Sequence, residues 1–201
     1  MFTAADSKKI FEECIIRYHE FDSVEQEIHN PYEKDTIDYL LYLKCWVDTV
    51  QWHYEDLIRD PNIDPVKGME LKRLIDKSNQ HRTDLVEQID DYFLTQWADV
   101  EPADDAKVNS ESPAWVVDRL SILALKIYHM QEQVARNDVD EAHRTKNAIK
   151  LAILLEQQVD LSTSFDQLLA DIQSGIRRMK VYRQMKMYND PTTNPVLYKN
   201  E

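Results

Sequence analysis

The chain has 201 residues, enough to bury a full core, and its two glycines and seven prolines leave little turn-forming material for a β-rich or loop-rich protein. Thirty-seven acidic against 24 basic residues give a formal charge of −13, a field that repels phosphate backbones and speaks against a nucleic-acid partner. With 43% hydrophobic and 30% charged residues, the composition is that of a globular chain, neither disordered nor membrane-embedded. No apolar run approaches the ~20 residues of a membrane helix, and the N-terminus lacks the basic start and apolar run of a signal peptide. Cys14 and Cys45 lack CxxC spacing and sit in apolar surroundings, which predicts two buried thiols and no disulfide or zinc framework. The expectation is one cytoplasmic, all-α domain over residues 1–201.

Apolar residues recurring at three and four mark the elements in chain order. A first helix, capped by Thr3 or Asp6, runs to about Asp22 within an N-terminal extension of residues 1–30. The second spans about 35–59 and ends at the prolines of "RDPNIDP"; the third spans about 65–97, and the two form a first hairpin over 35–97. The acidic segment 98–113 reads as a linker, with Ser112 as an N-cap and Pro113 at the first helical position. A fourth helix to about Arg136 and a very long fifth from Glu141 to about Tyr188, which Gly175 could interrupt, form a second hairpin over 114–188. Residues 189–201 are a proline-containing tail. The whole reads as a helical bundle of two long hairpins with an extra N-terminal helix and the tail packed back.

An ungapped shift of 76 residues lays the first hairpin over the second, pairing His53 with His129, Asp64 with Asp140, Asp84 and Leu85 with Asp160 and Leu161, and Asp90 with Asp166. Few identities survive, but helix, acidic turn and helix recur in each half, the pattern a duplicated hairpin leaves.

Polar residues on apolar faces are the candidates for function. In "SPAWVVDRLSILALKIYHM", Val116, Leu120, Leu123, Ile127 and Met130 share one face; Asp118, Arg119, Lys126, His129 and Gln133 share the other, interrupted by Ile122 and Leu125. Something must cover those two apolar side chains, so the charges are expected to line a partly covered groove, with Val196, Leu197 and Tyr198 of the tail as the cover. On the third helix Arg82 projects into the middle of a face made by Leu71, Leu74, Ile75, Leu85, Ile89 and Phe93. Its counterpart Gln158 is equally central among Leu151, Leu154, Leu155, Leu161, Phe165 and Leu169. A buried guanidinium costs several kcal/mol unless acceptors satisfy it. The candidates are Asp118, Asp84, Asp90 and Asn79, in either a structural ion-pair network or a ligand site.

No E-x-x-H, HExxH, P-loop or GxGxxG occurs, so no cofactor and no metal is expected. His53 in "WHYED" could serve as a general acid or base, or pack as a hydrogen-bonded core histidine. The cations of "RRMKVYRQMKMY" wind around the predicted helix end and read as partners of its dipole rather than as a docking face.

Three separated motifs, "LKRLIDKSNQHRTDLVEQID", "SPAWVVDRLSILALKIYHM" and "YRQMKMYNDPTTNPVLY", resemble the bacterial domain-of-unknown-function family 4254 over about residues 35–198. The resemblance implies a small helical cytoplasmic protein, often encoded beside glycosyltransferases of lipopolysaccharide or surface-glycan pathways, with no activity to carry over. It singles out Asn79, Arg82, Asp84, Asp90, Asp118, Arg119, Lys126 and Tyr188 with Asn189.

Two functions follow. The first is a non-enzymatic accessory protein that binds a partner chain, a glycosyltransferase or another protein, or a second copy of itself. The alternative is an enzyme or a binding protein for an anionic sugar or nucleotide sugar, built where Arg82, Arg119, Lys126 and His129 converge. Whether those side chains open into a pocket or close on acids separates the two.

Overall fold

The computed structural model describes residues 2–187 and 190–199. Its helices are α1 (Ala4–Tyr18), α2 (Ile37–Leu57), α3 (Pro65–Gln96), α4 (Pro113–Ala135), α5 (Glu141–Gln173) and the single turn α6 (Pro195–Tyr198). Among the described residues there is no strand, only one isolated bridge, Lys107 with Arg177. Among the described residues no helix is long and apolar enough to cross a membrane.

Local chemistry sets the boundaries. Thr3 and Asp6 together form a capping box on α1, each side chain bonding the other's backbone N–H. Asp64 and Asp140, the pair matched by the 76-residue shift, are the N-caps of α3 and α5, and Pro65 and Pro113 occupy first helical positions. The hairpins have similar proportions, 21 and 32 residues in α2 and α3 against 23 and 33 in α4 and α5.

Helix α4 is the centre of the bundle and touches α1, α2, α3 and α5. That is why the stretch is apolar on nearly every side. The core is built from Phe11, Tyr42, Ile89, Val117, Leu125 and Phe165, drawn from all five long helices. Leu74 and Leu155, read as core residues, stand at the margins of their stripes and are 42% and 41% exposed. Gln158 lines a groove between α1, α4 and α5 rather than the core centre. The two thiols are buried, with Cys14 Sγ against the Tyr42 carbonyl and Cys45 Sγ against that of Phe11; burial, with Cys45 adjacent, pushes the Cys14 thiol up.

The end of α5 departs from the sequence reading. The helix stops at Gln173 instead of continuing to about Tyr188, because Gly175 takes φ +76° and the Ile176 N–H bonds back to the Asp171 carbonyl. This is a Schellman stop, which favours a residue without Cβ. The basic cluster therefore lies beyond the helix and not on its dipole. Arg177 pairs with Asp171 and donates to Asn109, while Arg178 donates to the Ala106 and Asp104 carbonyls of the acidic linker. The chain then runs back along α3, where Arg183 contacts the Glu87 carbonyl and Asp91, and Lys186 donates to Thr83 Oγ1 at 2.7 Å.

The expected cover of α4 by the tail is also corrected. Val196, Leu197 and Tyr198 are 45–69% exposed, and the side of α4 bearing Asp118 and Leu125 is covered by α2 and α3. The polar stripe splits: Asp118 and Leu125 are buried, whereas Arg119 and Lys126 face solvent. Tyr188 and Asn189 lie outside the described residues.

A side chain at Gly175 would face two obstacles, since its Cβ would stand 2.8 Å from the Glu101 carbonyl oxygen and its backbone is left-handed. Gly175→Ala should therefore destabilise by at least about 1–2 kcal/mol, the cost of a non-glycine residue in that conformation. Denaturant titration checks this; an unchanged midpoint would mean that α5 can end without the motif.

Candidate functional site

The charged centre is a ring of two cations and two carboxylates. Lys44 and Asp48 sit one turn apart on α2, Arg82 comes from α3 and Asp118 from α4. Lys44 Nζ lies 2.5 Å from Asp48 Oδ2 and 2.7 Å from Asp118 Oδ1; Arg82 donates to Asp48 Oδ1 at 2.6 Å and to Asp118 Oδ1 at 3.1 Å. Each cation thus bonds both anions, and the formal charge of the ring is zero. Ser121 donates to Asp48 at 2.6 Å, and Asn79 Oδ1 accepts from Gln51 and Arg82. Lys44 is fully buried, and the Arg82 side chain is 21% exposed.

Charges so enclosed persist because their partners and hydrogen bonds offset desolvation. Burial alone would raise the Asp118 carboxyl. The Lys44 ammonium and Arg82 guanidinium outweigh it and hold the group below the ordinary carboxylate range. Arg82 also separates two clefts. One, about 360 Å³, is lined by Gln51, Trp52, Asp56, Arg59, Arg82 and Leu125. The other, about 290 Å³, lies between α3, α4 and the returning segment, with Trp115, Gln184 and Lys186 on its wall.

The candidate polar residues His53, Asn79, Arg82, Asp84, Asp90, Asp118, Arg119, Lys126 and His129 do not form one cluster. Arg82 and Asp118 belong to the ring, and Asn79 adjoins it by accepting from Arg82. Asp90 is buried elsewhere, accepting from the Ser112 hydroxyl at 2.9 Å, so it braces the start of α4; burial pushes its carboxyl up, against the effect of that bond and of the nearby Ala114 N–H. Asp84 is exposed and bonds Gln80, and Arg119 pairs with Glu111 across the surface. Lys126 is exposed.

His53 and His129 meet at a second centre with a partner that sequence reasoning passed over, His19 at the end of α1. One ring nitrogen from each of the three lies within 4.8 Å of the others. His19 and His53 approach Nε2 to Nε2 at 3.3 Å, and Asp22 Oδ1 is 3.5 Å from His53 Nε2 and 4.0 Å from His19 Nε2. His19 Nδ1–H donates to the Ile15 carbonyl and His129 Nδ1–H to Glu132, both at 2.7 Å. Aromatic rings stack on all three imidazoles: Tyr128 on His19, Tyr18 on His53 and Trp52 on His129. Burial pulls the His53 imidazole below its ordinary value; Asp22 opposes this, and His19 and His129 add to it.

Two participants in the ring were legible and overlooked. Lys44 interrupts the apolar run "YLLYLKCWV" much as Arg82 interrupts its stripe, and Asp48 follows one turn later. Nothing local ties His19 or Asp22 to this centre, because His53 and His129 are 31 or more residues away from either in the chain.

Fold and site define an all-α bundle protein whose three central helices are joined by a buried, neutral ring of charges. The chain belongs to the DUF4254 family, described as proteins of unknown function, whose model matches residues 38–181. No curated protein and no solved structure gives a significant match to the chain. The family match contains the whole ring together with His53 and His129, while His19 and Asp22 precede it.

Removing one member of the ring strands its partners. Arg82→Ala and Lys44→Met should each cost about 3–5 kcal/mol, the range for breaking a buried pair. An unchanged denaturation midpoint for either would show that the pair contributes no net stability.

Acid separates Asp118 from its neighbours in a predictable direction. Its folded value lies below the unfolded one, so its stabilisation is complete above an unfolded value of about 3.9 and is lost as the pH falls through the folded value. In urea titrations the stability gap between wild type and Asp118→Asn should be widest at neutral pH and narrow below about pH 4. A gap independent of pH would assign the loss to packing.

Proposed function

We propose that the protein is a cytoplasmic, partner-binding accessory protein that docks through the outer face of α5, and that the occupant of this face is a second copy of the chain. One observation carries the reading: α5 is apolar on both sides, but the bundle uses one. Phe165, Leu169 and Ile172 are buried, whereas Ile149 and Ile153 are each 60% exposed, with Ala152 also exposed.

The charges around Ile153 are self-complementary. Lys146 and Asp160 stand seven residues on either side of it, and Lys150 and Glu156 three residues on either side. At about 100° per residue all five share the outward face with Ile149. A twofold axis through Ile153 therefore sets Lys146 of one copy opposite Asp160 of the other, and Lys150 opposite Glu156. Exposed pairs of this kind contribute about 0–1 kcal/mol each, so they set the register; the isoleucines, at about 1.5–3 kcal/mol when fully buried, supply the affinity.

The two buried free thiols suit a reducing compartment. The surface-glycan setting implied by the resemblance gives such an accessory dimer a place to act. The alternative anionic-sugar reading loses its geometry, since Arg82 closes on Asp48 and Asp118, Arg119 on Glu111 and His129 on Glu132, with Lys126 out in solvent.

Sedimentation equilibrium of the full chain tests the interface. Wild type should self-associate as a dimer, and Ile153→Asp should be monomeric with unchanged helicity. Lys150→Glu should weaken the dimer, and adding Glu156→Lys should restore it. A wild type that stays monomeric at the highest soluble concentration, or an Ile153→Asp variant that dimerises equally well, would overturn the proposal.

A further inference from the structure

We propose that His19, His53 and His129, with Asp22, form a binding site for a divalent first-row transition ion of the zinc type. The site is independent of the α5 face. It is assembled from the end of α1, the turn that follows, α2 and α4, at the side of the bundle.

The donor set has the right chemistry, and two of its distances already match the spacing, while Asp22 Oδ1 to His19 Nε2 at 4.0 Å and the third imidazole, within 4.8 Å, have to close up on an ion. Imidazole nitrogens about 2.0–2.1 Å from a tetrahedral zinc stand roughly 3.3–3.4 Å from one another. The Nε2 atoms of His19 and His53 are already 3.3 Å apart, and Asp22 Oδ1 is 3.5 Å from His53 Nε2. Three imidazoles and one carboxylate complete four-coordination.

The orientation of the rings points the same way. Metal-bound histidines typically give their second ring N–H to a carbonyl or carboxylate, which fixes the tautomer and aims the free nitrogen. His19 does this through the Ile15 carbonyl and His129 through Glu132, leaving Nε2 of each to accept. His129 Nε2 is buried and has no hydrogen-bond partner among the described residues, an uncommon state for a ring nitrogen that a metal bond would relieve. For His53, binding requires the ring proton to move from Nε2 to Nδ1, which exchanges its hydrogen bond to His19 for a metal bond and leaves both rings neutral. Stacked aromatic rings on all three imidazoles restrict their rotation before any ion arrives. Asp22 is the open edge, with a 59% exposed side chain at φ +50°, and offers an entry path.

The ion would fasten an element that the 38–181 family match does not include. His19 and Asp22 lie in the N-terminal region, and His53 and His129 lie on the two hairpins. Metal binding then becomes part of the stability of the N-terminal helix.

The test uses the full chain without a polyhistidine tag, stripped by chelator and titrated with Co²⁺ and then Zn²⁺. One equivalent of Co²⁺ should give the visible absorption of a four-coordinate site, and Zn²⁺ should displace it and raise Tm. His53→Gln and His129→Gln should abolish the bands. Asp22→Asn, a replacement that tolerates the left-handed backbone and leaves the core intact, should weaken binding at least about tenfold, as should Glu132→Gln through His129. His81→Gln, on an exposed part of α3, should bind as wild type does. A wild type showing neither Co²⁺ bands nor a Zn²⁺-dependent Tm would overturn the site and leave the three rings as a packed cluster. Equal Co²⁺ uptake by wild type and by folded Asp22→Asn and His129→Gln would place the ion elsewhere and also overturn it.

Discussion

The exchange of hydrogen bonds among Lys44, Asp48, Arg82 and Asp118 is the constraint on which the helix arrangement rests. An apolar contact tolerates a small slide of one helix past another, whereas a ring in which each cation bonds both carboxylates does not. One turn of slippage on α3 would carry the Arg82 guanidinium away from both acids and leave three charges without full compensation, at a cost of several kcal/mol. A well-packed apolar cluster of the same volume could match the ring in stability. What it contributes beyond that is a single register for α2, α3 and α4.

The other features take their positions from that register. Asp48 and His53 are on the same helix, as are Asp118 and His129, so fixing α2 against α4 at one level also fixes how the histidines face one another. The His19 ring then closes the group from α1. On the far side of the ring, the segment from Arg178 to Met187 follows α3 and ends with Lys186 on the Asn79 carbonyl and Thr83 hydroxyl, next to the Asn79 side chain that adjoins the ring. The basic cluster is thus a clamp within the chain, joining the acidic linker to α3 through carbonyls and carboxylates.

How much of this could be read from the sequence depended on the distance over which the causes act. Helix boundaries follow from neighbours, and Asp64, Pro65, Pro113 and Asp140 marked them. That Arg82 is largely enclosed and meets a carboxylate followed from helical periodicity and the cost of an unpaired charge; which carboxylates it meets did not, since Asp118 was one of four candidates and Asp48 was not among them. The partition of the α4 charges did not, since Arg119 and Lys126 share a projected side with Asp118 yet fall outside the shadow of α2 and α3. The end of α5 was misplaced because helical periodicity continues into "RRMKVYRQMKMY", while the stop is decided by one left-handed glycine packed under the linker. The histidine group has no local pattern, since it exists only once three helices have met.

The hydrogen bond from the Ala4 N–H to Asp166 Oδ1, 2.7 Å long, ties positions 162 residues apart and places the start of α1 against the last long helix. Synthesis at about 5–20 residues per second separates the two by roughly 10–30 seconds, far longer than a helix needs to form. Throughout that interval the nascent α1 carries Ile10, Phe11 and Ile15 without its final packing partners on α5. The α2–α3 hairpin can shelter part of this face earlier, but α4 and α5 have yet to emerge. α1 therefore leaves the ribosome well before it can be seated, and until α5 follows, its apolar side is a surface that a chaperone would have to cover.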